Sequence, residues 1–140
     1  MLISTKGRYA VRVLIDLAEH VDDGYIPLKV VAARQEVSEK YLESILKVLV
    51  KHGILRGLRG KGGGYRLGID PQECTLDMVL RLTEETLAPV SCLEEIYQPP
   101  CPRAQNCKTL PVWKGLGEVI DTYLKGITLQ DLVNGTAGKK

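Results

Sequence analysis

The feature that most restricts the possible folds is a glycine-rich turn at residues 60–64, placed between two short strand patterns. The strands are predicted at residues 54–58 and 65–69, so the turn closes a β-hairpin whose tip needs positive φ angles, which glycine adopts at little cost. Just before the hairpin, Gly53 predicts the left-handed end of a helix. A hairpin that directly follows a helix is the arrangement of a wing, and the Asp-Pro pair at positions 70 and 71 closes this unit.

Three helices are predicted ahead of the hairpin. The first covers residues 4–20, where apolar side chains recur at helical spacing. The second begins at Pro27, a residue tolerated in the first helical turn, and ends near Glu36. Ser38 is a good N-cap for the third helix. The apolar stripe of that helix consists of Leu42, Ile45, Leu46 and Leu49. The second and third helices therefore meet across a tight turn, as in a helix-turn-helix.

The opposite face of the third helix is polar and basic, with Glu43 among its residues. A helix of this kind fits the major groove of DNA, although a solvated helix face has a similar composition. The candidates for contacts with base edges and nearby phosphates are Ser38, Lys40, Tyr41 and Ser44, and the candidates for phosphate contacts are Lys47 and Lys51.

The charge of the hairpin supports this interpretation. Residues 1–70 hold 12 Lys or Arg against 8 Asp or Glu, and residues 71–140 hold 7 against 9. A tip with few side chains can approach the sugar-phosphate backbone closely and place a cation in the minor groove. The candidates for this contact are Arg59, Gly60 and Lys61. The same tip lacks the Ser or Thr of a phosphate-binding loop, because position 62 is glycine.

Several other classes are excluded by what the sequence lacks. It contains no Ser-His-Asp order and no metalloprotease helix, so an enzyme is not expected. It also contains no apolar run of about 18 residues and no signal-peptide cleavage pattern. The expected location is the cytoplasm, with no membrane partner. With 44% hydrophobic and 26% charged residues, the 140-residue chain has the composition of one globular domain.

Three cysteines lie in a distinct segment, residues 89–111, which also holds five of the seven prolines. Cys92, Cys101 and Cys107 have the spacing C-x8-C-x5-C, which can bring three thiolates around a metal centre. An iron-sulfur cluster with one further ligand fits this set best. A zinc site and redox-active thiols are the alternatives. Cys74 stands apart and is interpreted as a small core residue.

The C-terminal part is predicted to be a long helix that packs against another helix. Its apolar residues alternate spacings of three and four. Because the core of so short a domain is small, we expect this seam to form a homodimer, with packing onto the chain's own helices as the alternative. The seam consists of Trp113, Leu116, Ile120, Tyr123 and Ile127.

Taken together, several segments resemble the Rrf2 (IscR-like) family of bacterial iron-sulfur winged-helix regulators, over nearly the whole chain. The matching pieces are STKGRYAV at residues 4–11, SEKYL at 38–42, RGKGGGY at 59–65, the three cysteines and ITLQDLV at 127–133. The KGRYA and wing segments are specific in combination.

The resemblance implies a fold and a function. The fold is mainly α-helical with a small β-hairpin wing, that is, a winged helix-turn-helix domain plus a long C-terminal dimerisation helix. The third helix and the wing read double-stranded DNA, the cysteines hold a 2Fe–2S or 4Fe–4S cluster, and Glu43 tunes sequence choice with cluster state. The implied divisions are 1–70 for DNA binding, 71–108 for a connecting helix and the cluster loop, 109–134 for dimerisation, and 135–140 for a tail.

Two departures from the family pattern concern the fourth cluster ligand. Some members carry a histidine three residues after the last cysteine, where this chain has Leu110. Others recruit an acidic residue or histidine from the N-terminal helix of the second subunit, where this chain has Arg8 and Arg12. The fourth ligand is therefore unassigned, and a cluster with incomplete protein ligation is expected to be labile.

The resulting hypothesis is a repressor that binds a pseudo-palindromic operator under the control of an iron-sulfur cluster and senses iron-sulfur status or oxidative or nitrosative stress. The alternative is a cluster-free repressor of sulfur metabolism, controlled by thiol oxidation or by a regulatory partner protein.

Overall fold

The computed structural model describes residues 2–94 and 101–138. In these ranges the chain forms six α-helices, one two-stranded hairpin and three short 3-10 turns, so the prediction of a mainly helical fold with a small β-hairpin is confirmed. In chain order the elements are α1 (Thr5–Glu19), α2 (Leu28–Gln35), α3 (Glu39–Lys51), β1 (Leu55–Leu58), β2 (Gly64–Leu67), α4 (Leu76–Thr83), α5 (Leu110–Lys125) and α6 (Leu129–Asn134).

Side-chain caps define where the helices begin. Ser4 accepts a hydrogen bond from the Gly7 N–H at the start of α1, and Ser38 does the same for the Tyr41 N–H at the start of α3. Each cap satisfies one of the backbone donors that a helix leaves unpaired at its N-terminus. Pro27 precedes the first helical residue of α2 and does not lie inside its first turn. The predicted cap Ser38 therefore sets the start of α3, whereas Ser4 was not predicted to be a cap.

The hairpin is shorter than the sequence pattern indicates. Ile54 and Ile69 lie outside the two paired strands, although the Gly68 N–H still donates to the Ile54 carbonyl at 2.9 Å. Both strands are antiparallel, with Arg56 opposite Arg66. The regular pairing of the two strands therefore ends at Leu55 and Leu67, before the chain continues to α4.

One continuous core lies between α1, α3 and the chain that follows the hairpin. The stripe predicted for α3 is fully buried there, and so is the central part of the α1 stripe, whereas Val21 at its end is 46% exposed. Each buried leucine contributes roughly 1.5–3 kcal/mol of transfer free energy. Residues from beyond the hairpin join the same core, namely Cys74, Val79 and Leu129. The helix-turn-helix therefore depends on later parts of the chain for its packing.

The C-terminal end of the described chain returns to this core. The α6 helix begins with a capping box between Thr128 and Asp131, and the Leu129 N–H donates to the Cys74 carbonyl at 2.7 Å. The prediction that the helical seam continues through Ile127 is wrong at that point. The α5 helix ends at Lys125, and Ile127 is only 8% exposed and packs within its own chain.

Some predictions fall outside the described residues. Pro99 and Pro100 of the proline-rich segment lie there, as do the last two residues of the predicted tail. Within the described ranges, no helix is both long and apolar enough to cross a membrane.

Candidate nucleic-acid interface and cysteine segment

The turn between α2 and α3 is short and tightly bonded. After α2 ends at Gln35, Glu36 adopts a left-handed conformation with φ 55°, and the Val37 N–H donates to the Ala32 carbonyl at 3.1 Å. Ser38 then caps α3. Because the turn is closed by backbone bonds and a cap, α3 has a fixed direction relative to α2.

The exposed face of α3 carries the predicted polar and basic residues. All six lie at the surface: Ser38, Lys40, Tyr41, Ser44, Lys47 and Lys51. The hydroxyl of Ser44 donates to the Tyr41 carbonyl at 2.6 Å, so this side chain is left with acceptor capacity. The Ser38 hydroxyl oxygen already accepts from the Tyr41 backbone N–H and keeps its proton to donate. Ser44 therefore offers a hydrogen-bond acceptor at this surface, whereas Ser38 offers a donor.

The wing projects beside this face. Arg59, Gly60 and Lys61 at its tip are all exposed, and the turn is closed by the Gly63 N–H donating to the Gly60 carbonyl at 3.0 Å. The second strand of the wing is attached to the entrance of α2, because Ile26 and Tyr65 exchange two backbone hydrogen bonds of 2.8 and 2.9 Å. Sequence analysis did not predict this attachment, since it joins distant parts of the chain.

A cleft separates α3 from the wing, and its lining is strongly cationic. Lys47 and Lys51 contribute from α3, and Arg59 contributes from the wing. Glu43 also lines the cleft. Desolvation raises the pKa of Tyr65, and the nearby Glu43 carboxylate raises it further while Arg59 lowers it. The cleft therefore presents three cations to a polyanion, with one carboxylate among them.

The predicted cysteine ligands lie on either side of the undescribed residues 95–100. Cys92 is exposed in the 3-10 turn Ser91–Leu93, whereas Cys101 and Cys107 flank the turn Ala104–Asn106 just before α5. All three are free thiols. A hydrogen bond with the Thr109 side chain, at 3.2 Å from Sγ, lowers the pKa of Cys107, and backbone N–H groups at the start of α5 act in the same direction.

Three accessible thiols fit the chemistry of an iron-sulfur cluster. Within the described ranges, however, no three His, Cys, Asp or Glu side chains are grouped closely enough to hold a metal ion. The three cysteine thiols are therefore present without being brought together, and residues 2–94 and 101–138 place no fourth ligand beside them. Binding a cluster would require the thiols of Cys92, Cys101 and Cys107 to move closer together.

Cys74 differs from the other three, as the sequence analysis predicts. It is 1% exposed in the core, and burial raises the pKa of its thiol to about 11. Because the folded state favours the neutral thiol, the resulting contribution to stability is present below about pH 9 and is lost as the pH rises towards 11.

The raised pKa of the buried Cys74 thiol predicts a specific pH dependence of the free energy of unfolding. Between pH 8 and 11 the free energy of unfolding should fall by about 2 kcal/mol more in the wild type than in Cys74→Ala, which has no thiol to ionise. Urea unfolding at each pH, at one protein concentration, measures both profiles. Parallel pH profiles would contradict the assignment of this pH dependence to the Cys74 thiol, even if Cys74→Ala is less stable by the same amount at every pH.

The α5 helix presents an apolar stripe that the described part of the chain leaves exposed. Leu116 and Tyr123 are 42% and 53% exposed, whereas the predicted seam residues Trp113 and Ile120 are partly buried. Val112 and Val119, which the predicted seam omitted, are 60% and 65% exposed. Helical periodicity alone could have found both valines, because each stands four residues before a seam position, Leu116 for Val112 and Tyr123 for Val119.

A winged helix-turn-helix with a basic recognition face defines a class of DNA-binding transcription regulators. The model of the family Rrf2, described as "Iron-dependent Transcriptional regulator", matches residues 3–135. The chain is 36% identical over 133 residues to the HTH-type transcriptional regulator IscR of Aliivibrio salmonicida, covering 95% of this chain and 77% of that protein.

Solved structures agree with this match. CymR, the global cysteine regulator of B. subtilis, aligns with TM-score 0.76 and 32% identity over 97% of this chain and 98% of its own. The IscR of T. potens aligns with TM-score 0.71 and 32% identity, over 96% and 88% respectively. The chain therefore belongs to the Rrf2 family, and it is a DNA-binding transcriptional regulator and not an enzyme.

Proposed function

We propose that this regulator binds a pseudo-palindromic operator as a homodimer, and that an iron-sulfur cluster on Cys92, Cys101 and Cys107 controls its occupancy of DNA. The observation that carries the proposal is the placement of three free thiols just before α5 and just after the loop that follows α4. A bound cluster would supply a centre sensitive to iron and oxidants. The cysteines would hold it, and its presence would fix the start of α5.

The DNA-binding part of the proposal rests on α3 and the wing. Lys40, Tyr41 and Ser44 would face base edges and nearby phosphates, with Ser38 at the helix start. Lys47 and Lys51 would contact phosphates, and Arg59, Gly60 and Lys61 would follow the minor groove. Two-fold symmetry of the dimer requires half-sites about one helical turn apart, roughly 10 bp or a small multiple.

The cluster is tested by purifying the full chain without oxygen and measuring visible absorption, iron and acid-labile sulfide. Cys92→Ala should lose the chromophore. Cys74→Ala is the matched control and should keep it, because Cys74 is buried in the core, away from the segment. Equal iron content in the two variants would overturn the assignment of Cys92 as a cluster ligand. A wild type that stays colourless after reconstitution with iron and sulfide would overturn the proposal that the protein binds a cluster.

A second candidate function is a cluster-free thiol sensor, alone or with a regulatory partner protein. Two observations favour it: Cys107 is an accessible thiol whose pKa is lowered, and CymR, a cysteine regulator, has a similar fold. It predicts an iron-free protein whose DNA affinity changes with oxidant and recovers with reductant. A Cys107→Ala variant should not respond to oxidant.

Arg59→Ala should weaken DNA binding and reduce the slope of log affinity against log salt by about 1, because one phosphate contact would be lost. Fluorescence anisotropy at several salt concentrations measures the slope. Glu19→Ala, an exposed residue on α1, serves as the control for surface truncation. An unchanged affinity and slope in Arg59→Ala would remove the wing from the interface.

Placing a charge in the exposed stripe of α5 should break the proposed dimer. Val119→Glu would bury a carboxylate in an apolar interface, and the particle mass should fall from about twice the chain mass of 15.5 kDa towards that value. Lys114→Glu lies on another side of the same helix by its helical spacing and should leave the mass unchanged. Light scattering after size exclusion decides the result, and a dimeric Val119→Glu variant would exclude this stripe.

A further inference from the structure

We infer that Arg12 is a positioning residue that fixes the first turn of α3, and that it thereby determines sequence selectivity without itself contacting DNA. The inference rests on the proposed DNA recognition by α3. Arg12 lies on α1, behind the helix-turn-helix, and sequence analysis gave it no role there. Its side chain connects the end of α2 with the start of α3.

The first connection is to the end of α2. Arg12 donates from Nε to the Gln35 side-chain oxygen at 3.2 Å and from Nη2 to the Gln35 backbone carbonyl at 3.3 Å. Gln35 is the last residue of α2, immediately before the turn. The guanidinium therefore satisfies a carbonyl that the helix end leaves without a partner.

A buried carboxylate fixes the orientation of this glutamine. Asp16 is 6% exposed and accepts hydrogen bonds from Gln35 Nε2 at 2.9 Å and from Arg34 Nη2 at 2.7 Å. Because ionised Asp16 only accepts and Arg12 only donates, the amide of Gln35 has one favourable orientation between them. These four side chains thus form one network that ties α1 to the end of α2.

The second connection is aromatic and reaches α3. The guanidinium carbon of Arg12 lies 4.7 Å from the ring centroid of Tyr9. The Tyr9 ring meets the ring of Tyr41 edge-on, with 6.1 Å between centroids and 85° between planes. Tyr41 lies in the first turn of α3, so Arg12 and Tyr9 together hold the orientation of a residue proposed to face DNA.

The geometry depends on the chemistry of arginine. A guanidinium can donate two hydrogen bonds to Gln35 while its flat face lies on Tyr9, whereas an ammonium is a compact point charge without a face to stack. Arg12→Lys keeps the charge and so keeps the attraction to phosphates. It should release Tyr9 and Tyr41 and make α3 less selective.

The test uses the full chain and a pool of randomised double-stranded DNA, comparing wild type, Arg12→Lys and Arg8→Lys. Arg8 is the matched control, because it is an exposed arginine on the same helix whose side chain bonds Thr5. The ratio of affinity for the best selected duplex to affinity for random duplex should fall roughly 3- to 10-fold in Arg12→Lys, the value of one hydrogen bond or two. Affinity for random duplex should stay the same in all three proteins.

A second measurement does not involve DNA. Nuclear Overhauser effects between the rings of Tyr9 and Tyr41 should be strong in the wild type and in Arg8→Lys and weak in Arg12→Lys. Unchanged ring contacts, or a selectivity ratio equal to that of Arg8→Lys, would overturn the inference. If the wild type selects no sequence while its ring contacts respond to Arg12→Lys, the proposed DNA recognition fails and the role in selectivity fails with it.

Discussion

Gly64→Ala is expected to detach the wing from the helix-turn-helix and to reduce DNA affinity by at least about 10-fold. Gly64 has φ +147°, which is unfavourable for a residue with a side chain. A Cβ at this position would also overlap the Ile26 carbonyl and lie 2.7 Å from the Pro27 nitrogen. Both obstacles are backbone atoms, so the substitution must break the two hydrogen bonds that join Tyr65 to Ile26.

The wing offers a close control for this prediction. Gly62 also has a positive φ, +77°, but nothing lies within 4 Å of where its Cβ would be. Gly62→Ala should therefore cost only the backbone strain, about 1 kcal/mol. Anisotropy titrations with a selected duplex, together with thermal unfolding, compare the two variants. Equal affinities would show that the contact between the wing and Ile26 does not matter for binding.

Leu46→Ala is expected to have the largest effect on stability, lowering the free energy of unfolding by about 3 kcal/mol and the melting temperature by roughly 10 °C. Leu46 is completely buried in the stripe by which α3 packs on the core. Removing three heavy atoms there leaves a cavity that rigid helix neighbours cannot fill.

The neighbouring residue separates folding from DNA binding. Lys47 lies on the exposed side of the same helix and lines the cationic cleft. Lys47→Ala should leave the melting temperature within about 2 °C of the wild type and weaken DNA binding, because it removes a phosphate contact. Calorimetry must be performed at one protomer concentration, since a dimer is stabilised by mass action. Similar losses of stability in both variants would contradict the assignment of the two faces.

Local chemistry explains why so much of the fold could be predicted. Ser38 caps α3, Gly53 has φ +77° after it, and the apolar stripe of α3 is buried, each as the sequence indicates. These features depend on residues within a few positions of one another. The wing could be predicted for the same reason, because its strands and its glycine turn are contiguous in sequence.

The features that sequence analysis missed depend on contacts between distant parts of the chain. The spacing from Tyr123 to Ile127 continues the helical pattern, yet α5 ends before Ile127, and the capping box of Thr128 and Asp131 was the local signal for a new helix. Asp16 could not be assigned from its neighbours, because its partners are 18 and 19 residues away. The cysteine segment has no periodicity, so spacing predicted its chemistry but not its geometry.

Because the chain returns to the core after α5, this helix is held at its C-terminal end. Its C-terminal end is held where the Leu76 N–H donates to the Ile127 carbonyl at 2.9 Å, and Arg81 Nη2 donates to Asp121 near the same end. Its other end, 16 residues and about 24 Å away, begins beside Cys107. Over this length, a tilt of about 5° at the anchored end would displace the cysteine end by about 2 Å.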